Sequence, residues 1–326
     1  MQSNHDKIRW GVVGCGKVSH RFMDGLKDVP DTQMVAAWSR RASSVQGFTA
    51  RYGGLACESM EELLAADIDA VYIATLPDSH ATYSIAALNA GKHVLCEKPA
   101  SFNRETLEEV LTLAKEKGLL FMEAMKPPFF PLYQQLKTHL QTDPIGEIGY
   151  VRAGSSVTGI GEDHPSLSLE LAGGTLMAIG IYEAFLVQDW LGETKSVQAM
   201  GKLGKTGIDE FCVFQTEHEA GYGQFYTGFT LHGKGDALIS GTLGHVTIHQ
   251  NWWNPVQATI AYLDGRVVEL DVPFTAGGFN YETYHFCQLI RNGLLESPII
   301  SHQLSKSMIG LLDKVREEIG LKFNGE

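Results

Sequence analysis

The chain has 326 residues and a formal net charge of −12, and hydrophobic residues make up 44% of it. This length suits two domains with sizeable cores. The acidic balance argues against nucleic acid or an anionic membrane as a partner, because both carry negative charge themselves. A small phosphate-bearing ligand is not excluded, since local basic residues and backbone N–H groups bind phosphate even in an acidic protein.

The cysteines indicate reduced thiols rather than a disulfide framework. Five of them are scattered along the chain, at Cys15, Cys57, Cys96, Cys212 and Cys287. No Cys-x-x-Cys pair and no Cys/His cluster at zinc spacing occurs, so no metal site is predicted. The first residues lack the apolar stretch of a signal peptide, and apolar runs stay shorter than a membrane span. We therefore expect a soluble, cytoplasmic protein.

Short apolar runs alternate with amphipathic stretches in the first third of the chain, a pattern typical of βαβ units. Strands are predicted at residues 8–13, 33–38, 70–74, 93–96 and 119–122. Helices are predicted from about residue 17, over 45–52, after the capping-box sequence at 59–62, and over 79–90 and 104–117. The pattern indicates a doubly wound parallel sheet, and thus an α/β Rossmann domain over residues 1–124.

The pattern changes at residues 126–131, where three prolines exclude a regular helix. Beyond this junction, strands are predicted at 149–157, 196–200, 210–216, 224–231, 237–239, 246–249 and 256–263. Helices are predicted at 175–191, 281–292 and 304–319. Residues 125–326 should therefore form an α+β domain with an open, mainly antiparallel sheet. The C-terminal helix could pack back on the first domain.

A glycine-rich segment, GCGKVS at residues 14–19, follows the first predicted strand and opens a helix. A dinucleotide fingerprint needs one glycine for the turn, a second for close approach to the pyrophosphate, and a small third residue for packing. Gly14 and Gly16 meet the first two requirements, and Ser19 replaces the third glycine. The helix start at Lys17 and Val18 would then present backbone N–H groups to the phosphates. A glycine turn without a ligand is the alternative.

The end of the second predicted strand favours NADP over NAD. NAD enzymes place a carboxylate there for the ribose 2′-hydroxyl. This chain has Ser39, Arg40 and Arg41 instead. A serine and two guanidinium groups suit a 2′-phosphate, because arginine binds phosphate in a forked geometry. The alternatives are NAD, or two arginines that are simply solvated.

Ligands of open α/β sheets bind beyond the carboxyl ends of the strands, so the loops at these ends are candidates. In these loops, the predicted cofactor-binding residues are Thr75, Leu76, Pro77, His80, Glu97 and Lys98. A lysine that faces the cofactor, such as Lys98, can polarise a carbonyl. A solvated lysine is the alternative.

Together, the glycine segment, the loop at 75–80 and the Glu-Lys-Pro sequence at 97–99 resemble the glucose–fructose oxidoreductase/inositol dehydrogenase/MocA (Gfo/Idh/MocA) family over nearly the whole chain. Further segments resemble its branch of dimeric dihydrodiol dehydrogenases and NADP-dependent D-xylose dehydrogenases: 122–125, 129–131, 173–176, 180–182, 252–255 and 278–282. The resemblance implies hydride transfer between nicotinamide and an aldose, polyol or cyclic trans-dihydrodiol. It also implies a homodimer or higher homo-oligomer that assembles through the open face of the C-terminal sheet.

Within this resemblance, Lys98 and Tyr182 take the catalytic roles, Lys98 polarising the substrate and Tyr182 moving the proton. A phenol is a weak base at neutral pH unless a neighbouring ammonium favours the phenolate. For Tyr182, packing of an amphipathic helix against the sheet is the alternative. The predicted substrate contacts are Lys126, Phe130, His164 and Tyr182.

The chain departs from the branch at two places. Relatives usually carry an aspartate four residues before the tyrosine, on the same helix face, where this chain has Ala178. They also commonly have Trp and Arg where this chain has Lys126-Pro127-Pro128. Both changes fall where substrate should bind. A second interpretation is therefore a non-catalytic NADP-binding sensor or regulator of the same fold.

Overall fold

The computed structural model describes residues 7–323, which divide into two compact units. Unit 1 comprises residues 7–101, Glu105–Lys126 and Thr275–His302. Unit 2 comprises Phe102–Arg104, Pro127–Phe274 and residues 303–323. The junction at residue 126 lies close to the predicted one after residue 124.

The elements follow one another along the chain in this order: β1 (Ile8–Val13), α1 (Lys17–Leu26), β2 (Thr32–Trp38), α2 (Ala42–Tyr52), β3 (Leu55–Ala56), α3 (Met60–Ala65), β4 (Ala70–Ile73), α4 (His80–Asn89), β5 (His93–Glu97), α5 (Arg104–Lys117), β6 (Phe121–Ala124), α6 (Pro131–Thr142), β7 (Ile148–Ser156), α7 (Ile181–Leu191), β8 (Thr194–Leu203), β9 (Asp209–His218), β10 (Tyr222–Gly228), β11 (Ala237–Gly241), β12 (Gly244–Ile248), β13 (Gln257–Tyr262), β14 (Val267–Asp271), α8 (Phe279–Arg291) and α9 (His302–Ile319). A π-helical stretch, Leu176–Gly180, leads directly into α7.

Unit 1 contains a six-stranded parallel sheet in the order β3-β2-β1-β4-β5-β6. The strand order reverses between β1 and β4, and ligands of doubly wound sheets bind beside such a reversal. The predicted Rossmann fold is confirmed. The short strand β3 was not predicted, because a two-residue strand shows no periodicity.

Residues 275–302 belong to unit 1, although the sequence analysis placed them in the C-terminal domain. The reason is apolar packing of α8. The ring of Phe286 lies 5.3 Å from that of Trp10 on β1. On α1, a Cβ at Gly25 would come within 2.8 Å of Phe279, so only glycine admits so close an approach. α8 therefore completes the core of unit 1.

Unit 2 contains an eight-stranded sheet in the order β14-β13-β12-β11-β7-β10-β9-β8. Its pairs are antiparallel except for β7 with β10, which confirms the predicted open, mainly antiparallel sheet. Along β9, Phe214 and Thr216 are buried while Gln215 and Glu217 are exposed. This alternation means that one face is covered and the other is open. Assembly of two copies through the open face stays a prediction.

Three local features of unit 2 differ from the prediction. A helix, α6, begins at Pro131, where the sequence analysis predicted none. Proline is tolerated at the first helical position, because the N–H that it lacks would be unpaired there anyway. The predicted helix over 175–191 is π-helical at its start, Leu176–Gly180. Strand β14 was also missed.

One stretch of the described residues, Leu169–Leu191, is long and apolar enough to cross a membrane, with a mean hydropathy of 1.4. Within the structure, 78% of its most apolar window is buried. A helix that is buried in the core of a folded domain has the same composition.

Candidate active site

The loop after β1 depends on glycine at Gly14. Its φ of 91° lies in the left-handed region, and its N–H donates to the carbonyl of Trp38 at 2.8 Å. A Cβ at this position would lie 2.6 Å from the carbonyl oxygen of Ala74, at the end of β4. Gly14 is therefore required by the fold itself.

Gly16 differs, because no described atom lies within 4 Å of a Cβ built on it. Its backbone is extended at φ −91° and ψ −173°, so the protein alone does not need glycine there. The open space lies at the N-terminus of α1, beside the exposed Lys17 and Val18. The buried Ser19 donates its hydroxyl to the carbonyl of Gly14, which ties the helix to the loop. This arrangement fits a pyrophosphate on the helix N-terminus.

A cavity of about 420 Å³ opens at the carboxyl end of β2. It is lined by Trp38, Ser39, Arg40, Ala42, Val45, Gln46, Ala56, Cys57 and Glu58. Arg40 and Arg41 are both exposed, but Arg40 borders the cavity and Arg41 lies outside its lining. The first turn of α2 contains no acidic residue, and the carboxylate in the lining, that of Glu58, follows β3 rather than β2. The donors of Ser39 and Arg40 suit a 2′-phosphate.

His80 connects two loops at the sheet edge. It is 1% exposed, and its ring nitrogens lie 2.8 Å from the carbonyl of Pro99 and 3.4 Å from that of Thr75. Burial lowers the pKa of His80 to about 4, so the ring is neutral at physiological pH. We interpret His80 as a positioning residue, and its predicted contact with the cofactor stays a prediction. Leu76 and Pro77, in the same loop, are half-buried.

Hydrogen bonds of the Glu97 carboxylate hold the backbone beside Lys98. Glu97 accepts a hydrogen bond from the Tyr72 hydroxyl at 2.6 Å and another from the backbone N–H of Lys98 at 3.3 Å. Tyr72 is fully buried, and its ring stacks on that of Phe22 at 3.7 Å. Lys98 itself is half-buried at the carboxyl end of β5. Sequence reasoning missed Tyr72, although a tyrosine within an otherwise aliphatic buried strand was a signal.

Lys126 is held within unit 1 at the start of α8. Its Nζ donates to the carbonyl of Gly277 at 3.1 Å and lies 4.5 Å from the ring centre of Phe279. Burial lowers the pKa of Lys126 to about 8, while the carboxylates of Glu282 and Glu97 act in the opposite direction. Its predicted contact with substrate stays a prediction.

Glu282 is a further group that the sequence analysis did not identify. It is fully buried, and neither of its oxygens accepts a hydrogen bond from the described residues. Burial, and next the nearby Glu97, raise the pKa of this carboxyl well above its usual value, and the Lys126 ammonium lowers it in part. No periodic pattern reveals such a group, because its burial depends on packing between distant segments.

In unit 2, only two of the residues 172–188, the stretch that contains Tyr182, are accessible. These positions are Ala178 and Tyr182, both half-buried, and every other residue of that range is buried. They lie four residues apart, so they share one side of the helix. The open side of the helix thus presents a phenol and, one turn earlier, a methyl group.

Asp209, at the start of β9, fixes the beginning of this helix. Its Oδ2 accepts hydrogen bonds from the Thr175 hydroxyl at 2.6 Å and from the N–H of Leu176 at 2.8 Å. The Thr175 hydroxyl also lies 2.7 Å from that of Thr227 on β10. Asp209 is fully buried, and burial raises its pKa to about 6.

Because the folded protein binds a proton at Asp209 more tightly than the unfolded chain does, this residue makes the free energy of unfolding fall as pH rises from about 4 to 6. An Asp209→Asn variant lacks this contribution. We expect the variant to gain roughly 1 kcal/mol relative to the wild type between pH 5 and pH 8. Thermal denaturation at both pH values measures the gain, and a difference that does not vary with pH would contradict the assignment.

The remaining predicted substrate residues, Phe130 and His164, differ in their exposure. Phe130 is fully buried, with its ring centre 4.6 Å from that of Phe274, which disfavours direct contact with substrate. His164 is exposed, and its Nδ1 accepts from the N–H of Ser166 at 3.2 Å. Among residues 7–323, no group of three or more His, Cys, Asp or Glu side chains could hold a metal ion.

Comparison with protein families gives two matches that follow one another along the chain. Residues 8–125 match the Gfo/Idh/MocA model described as an oxidoreductase family with an NAD-binding Rossmann fold. Residues 133–247 match the Gfo/Idh/MocA C-terminal domain. Together they span most of both units.

Relatives of full length are similar to the chain as well. A trans-1,2-dihydrobenzene-1,2-diol dehydrogenase of Xenopus tropicalis is 30% identical, with 97% of this chain and 99% of the relative covered. The scyllo-inositol 2-dehydrogenase (NADP⁺) IolU of Bacillus subtilis is 31% identical over 97% and 98% of the two chains. The 3-ketoreductase KijD10 of Actinomadura kijaniata, solved with NADP and TDP-benzene, is 26% identical with a TM-score of 0.87, over 96% and 98%.

Proposed function

The chain belongs to the Gfo/Idh/MocA oxidoreductase family, and we propose that it transfers a hydride between NADP and a polyhydroxylated substrate, an aldose, a polyol or a cyclic trans-dihydrodiol. The observation that carries the cofactor choice is the cavity at the end of β2, which Ser39 and Arg40 line. The end of β2 offers no carboxylate for a ribose 2′-hydroxyl. The names of the relatives support the substrate classes.

Unit 1 would hold the cofactor at Gly14, Gly16, Ser39 and Arg40, in the positions described above. When bound, the nicotinamide supplies or accepts the hydride. In the oxidative direction, the Tyr182 side chain takes the proton of the substrate hydroxyl, and the Lys98 ammonium stabilises the charge that develops on this oxygen. In the reductive direction, Lys98 polarises the carbonyl and Tyr182 returns the proton.

A fluorescence titration of the purified protein with NADPH and with NADH tests the proposal, followed by a panel of aldoses, polyols and cyclic diols read at the nicotinamide absorbance. We expect preferential binding of NADPH and turnover of at least one member of the panel. Tighter binding of NADH would contradict the cofactor choice.

A non-catalytic sensor is the second candidate, and the methyl group of Ala178 beside Tyr182 favours it. A module that only binds NADPH has no need of Lys98 and Tyr182, which argues for the enzyme. Tight NADPH binding without turnover of any substrate in the panel would favour the sensor over the enzyme.

The two neighbouring arginines allow a matched test of NADP selectivity. Arg40→Ala removes a guanidinium that lines the cavity, so we expect the dissociation constant for NADPH to rise about 10- to 100-fold. Arg41→Ala removes the same charge outside the lining and should change the dissociation constant for NADPH by less than about threefold. The dissociation constant for NADH should stay the same in both variants. Equal losses in the two variants would mean that the charges act only at long range.

A further inference from the structure

The side of the helix that bears Tyr182 is fixed by the sheet beneath it. Asp209 holds the N–H of Leu176 and the hydroxyl of Thr175. At Gly180, a Cβ would lie 3.2 Å from the methyl group of Thr227, so the helix packs closely on β10. The helix therefore cannot rotate freely, and the side on which Ala178 and Tyr182 lie is set by these contacts.

Ala178 offers a bound molecule no hydrogen bond from its side chain. A substrate hydroxyl placed against this methyl group would leave water without finding a partner, and an unpaired buried hydroxyl lowers affinity by about tenfold or more. A carbon without a hydroxyl at that point avoids this loss and gains apolar contact. One turn before the phenol, the helix thus favours a substrate carbon without a hydroxyl over one that carries a hydroxyl.

We propose that the substrate presents an apolar carbon, a methylene, a methyl group or a ring CH, to Ala178. The enzyme therefore selects deoxy sugars or cyclic diols over fully hydroxylated sugars and cyclitols. This inference rests on the proposed function, because it places the reacting carbon next to Tyr182.

Matched pairs of compounds test the preference: trans-cyclohexane-1,2-diol against a cyclohexanehexol, and D-glucose against its 2-deoxy and 3-deoxy forms. For the wild type, we expect kcat/KM to be at least about tenfold higher for the diol, and for one of the deoxy sugars, than for the fully hydroxylated partner. A tenfold preference for the fully hydroxylated member in both sets would overturn the inference.

Substitution at the same position should reverse the preference. Ala178→Asp adds a carboxylate that accepts hydrogen bonds from hydroxyls, so the ratio of kcat/KM within each pair should shift by at least about tenfold toward the hydroxylated member. Ala178→Ser, a smaller change, should shift it in the same direction and serves if the aspartate variant fails to fold. Ala50→Asp, at an exposed alanine of α2, is the control and should leave the ratios unchanged. Ratios that stay within threefold in both Ala178 variants would contradict the role of this residue.

Binding separates this inference from the proposed function. The dissociation constants of the same pairs are measured by calorimetry on protein saturated with NADPH, which requires no turnover. If nothing is turned over but the diol binds more tightly than the hexol, the catalytic proposal fails and the selectivity stands. If neither member of any pair binds, the inference fails as well.

Discussion

Lys98→Met is expected to lower kcat about 10²- to 10³-fold, while the dissociation constant for NADPH stays within about threefold of the wild-type value. Methionine keeps much of the length of lysine but has no charge to stabilise an oxyanion, and the loss of one such donor has an effect of this size. The backbone beside Lys98 is held by Glu97 and Tyr72, so the loop should keep its shape. Steady-state kinetics and a fluorescence titration with NADPH measure the two quantities.

A lysine at the other end of the same strand provides the control. Lys92 directly precedes β5, and its Nζ donates to the carbonyl of Ile68 at 2.9 Å. Lys92→Met should therefore leave kcat within about threefold, because ligands bind at the carboxyl ends of the strands. Unchanged turnover in Lys98→Met would remove the catalytic assignment. Loss of both turnover and NADPH binding would make Lys98 a residue of the cofactor site instead.

Gly16→Val is expected to raise the dissociation constant for NADPH at least about 100-fold without lowering the melting temperature of the apoprotein. Valine adopts the extended backbone of Gly16, and the structure leaves room for its Cβ. The side chain would occupy the space in which a pyrophosphate approaches the N-terminus of α1. A binding titration and thermal denaturation without cofactor measure the two effects.

Substitutions at two other glycines serve as controls for this result. Gly14→Ala should lower the melting temperature itself, because a side chain there meets the carbonyl of Ala74 and requires a left-handed backbone. Gly47→Val, at a second open glycine on α2, should change neither property. Tight NADPH binding by Gly16→Val would place the pyrophosphate elsewhere.

The elements that carry the predicted cofactor residues were predictable because their signals are local. Glycine spacing at 14–16 and the end of β2 at Ser39 depend only on neighbouring residues, and strand β1 was predicted with its observed bounds, Ile8–Val13. In the same way, Ser59 and Glu62 form the expected cap of α3, although the carboxylate reaches the N–H of Glu58.

The rest of the site depends on contacts between distant segments. Lys126 finds its hydrogen-bond partner at Gly277, and no periodic pattern connects the two. The π-helical turn before Tyr182 arises where Asp209, from a different strand, binds Thr175. Sequence reasoning identified Ala178 as unusual, but only the structure shows that it is one of two accessible positions within residues 172–188.

The position of α8 in the chain has a consequence for biosynthesis. Translation finishes all of β1–β6 before any of α8 exists, and the whole stretch Pro127–Phe274 is made in between. Until then, Trp10 lacks the aromatic neighbour that Phe286 later provides. The nucleotide-binding unit is thus completed only after Pro127–Phe274 has been made, and a nascent chain that stops at residue 126 carries an uncovered apolar surface.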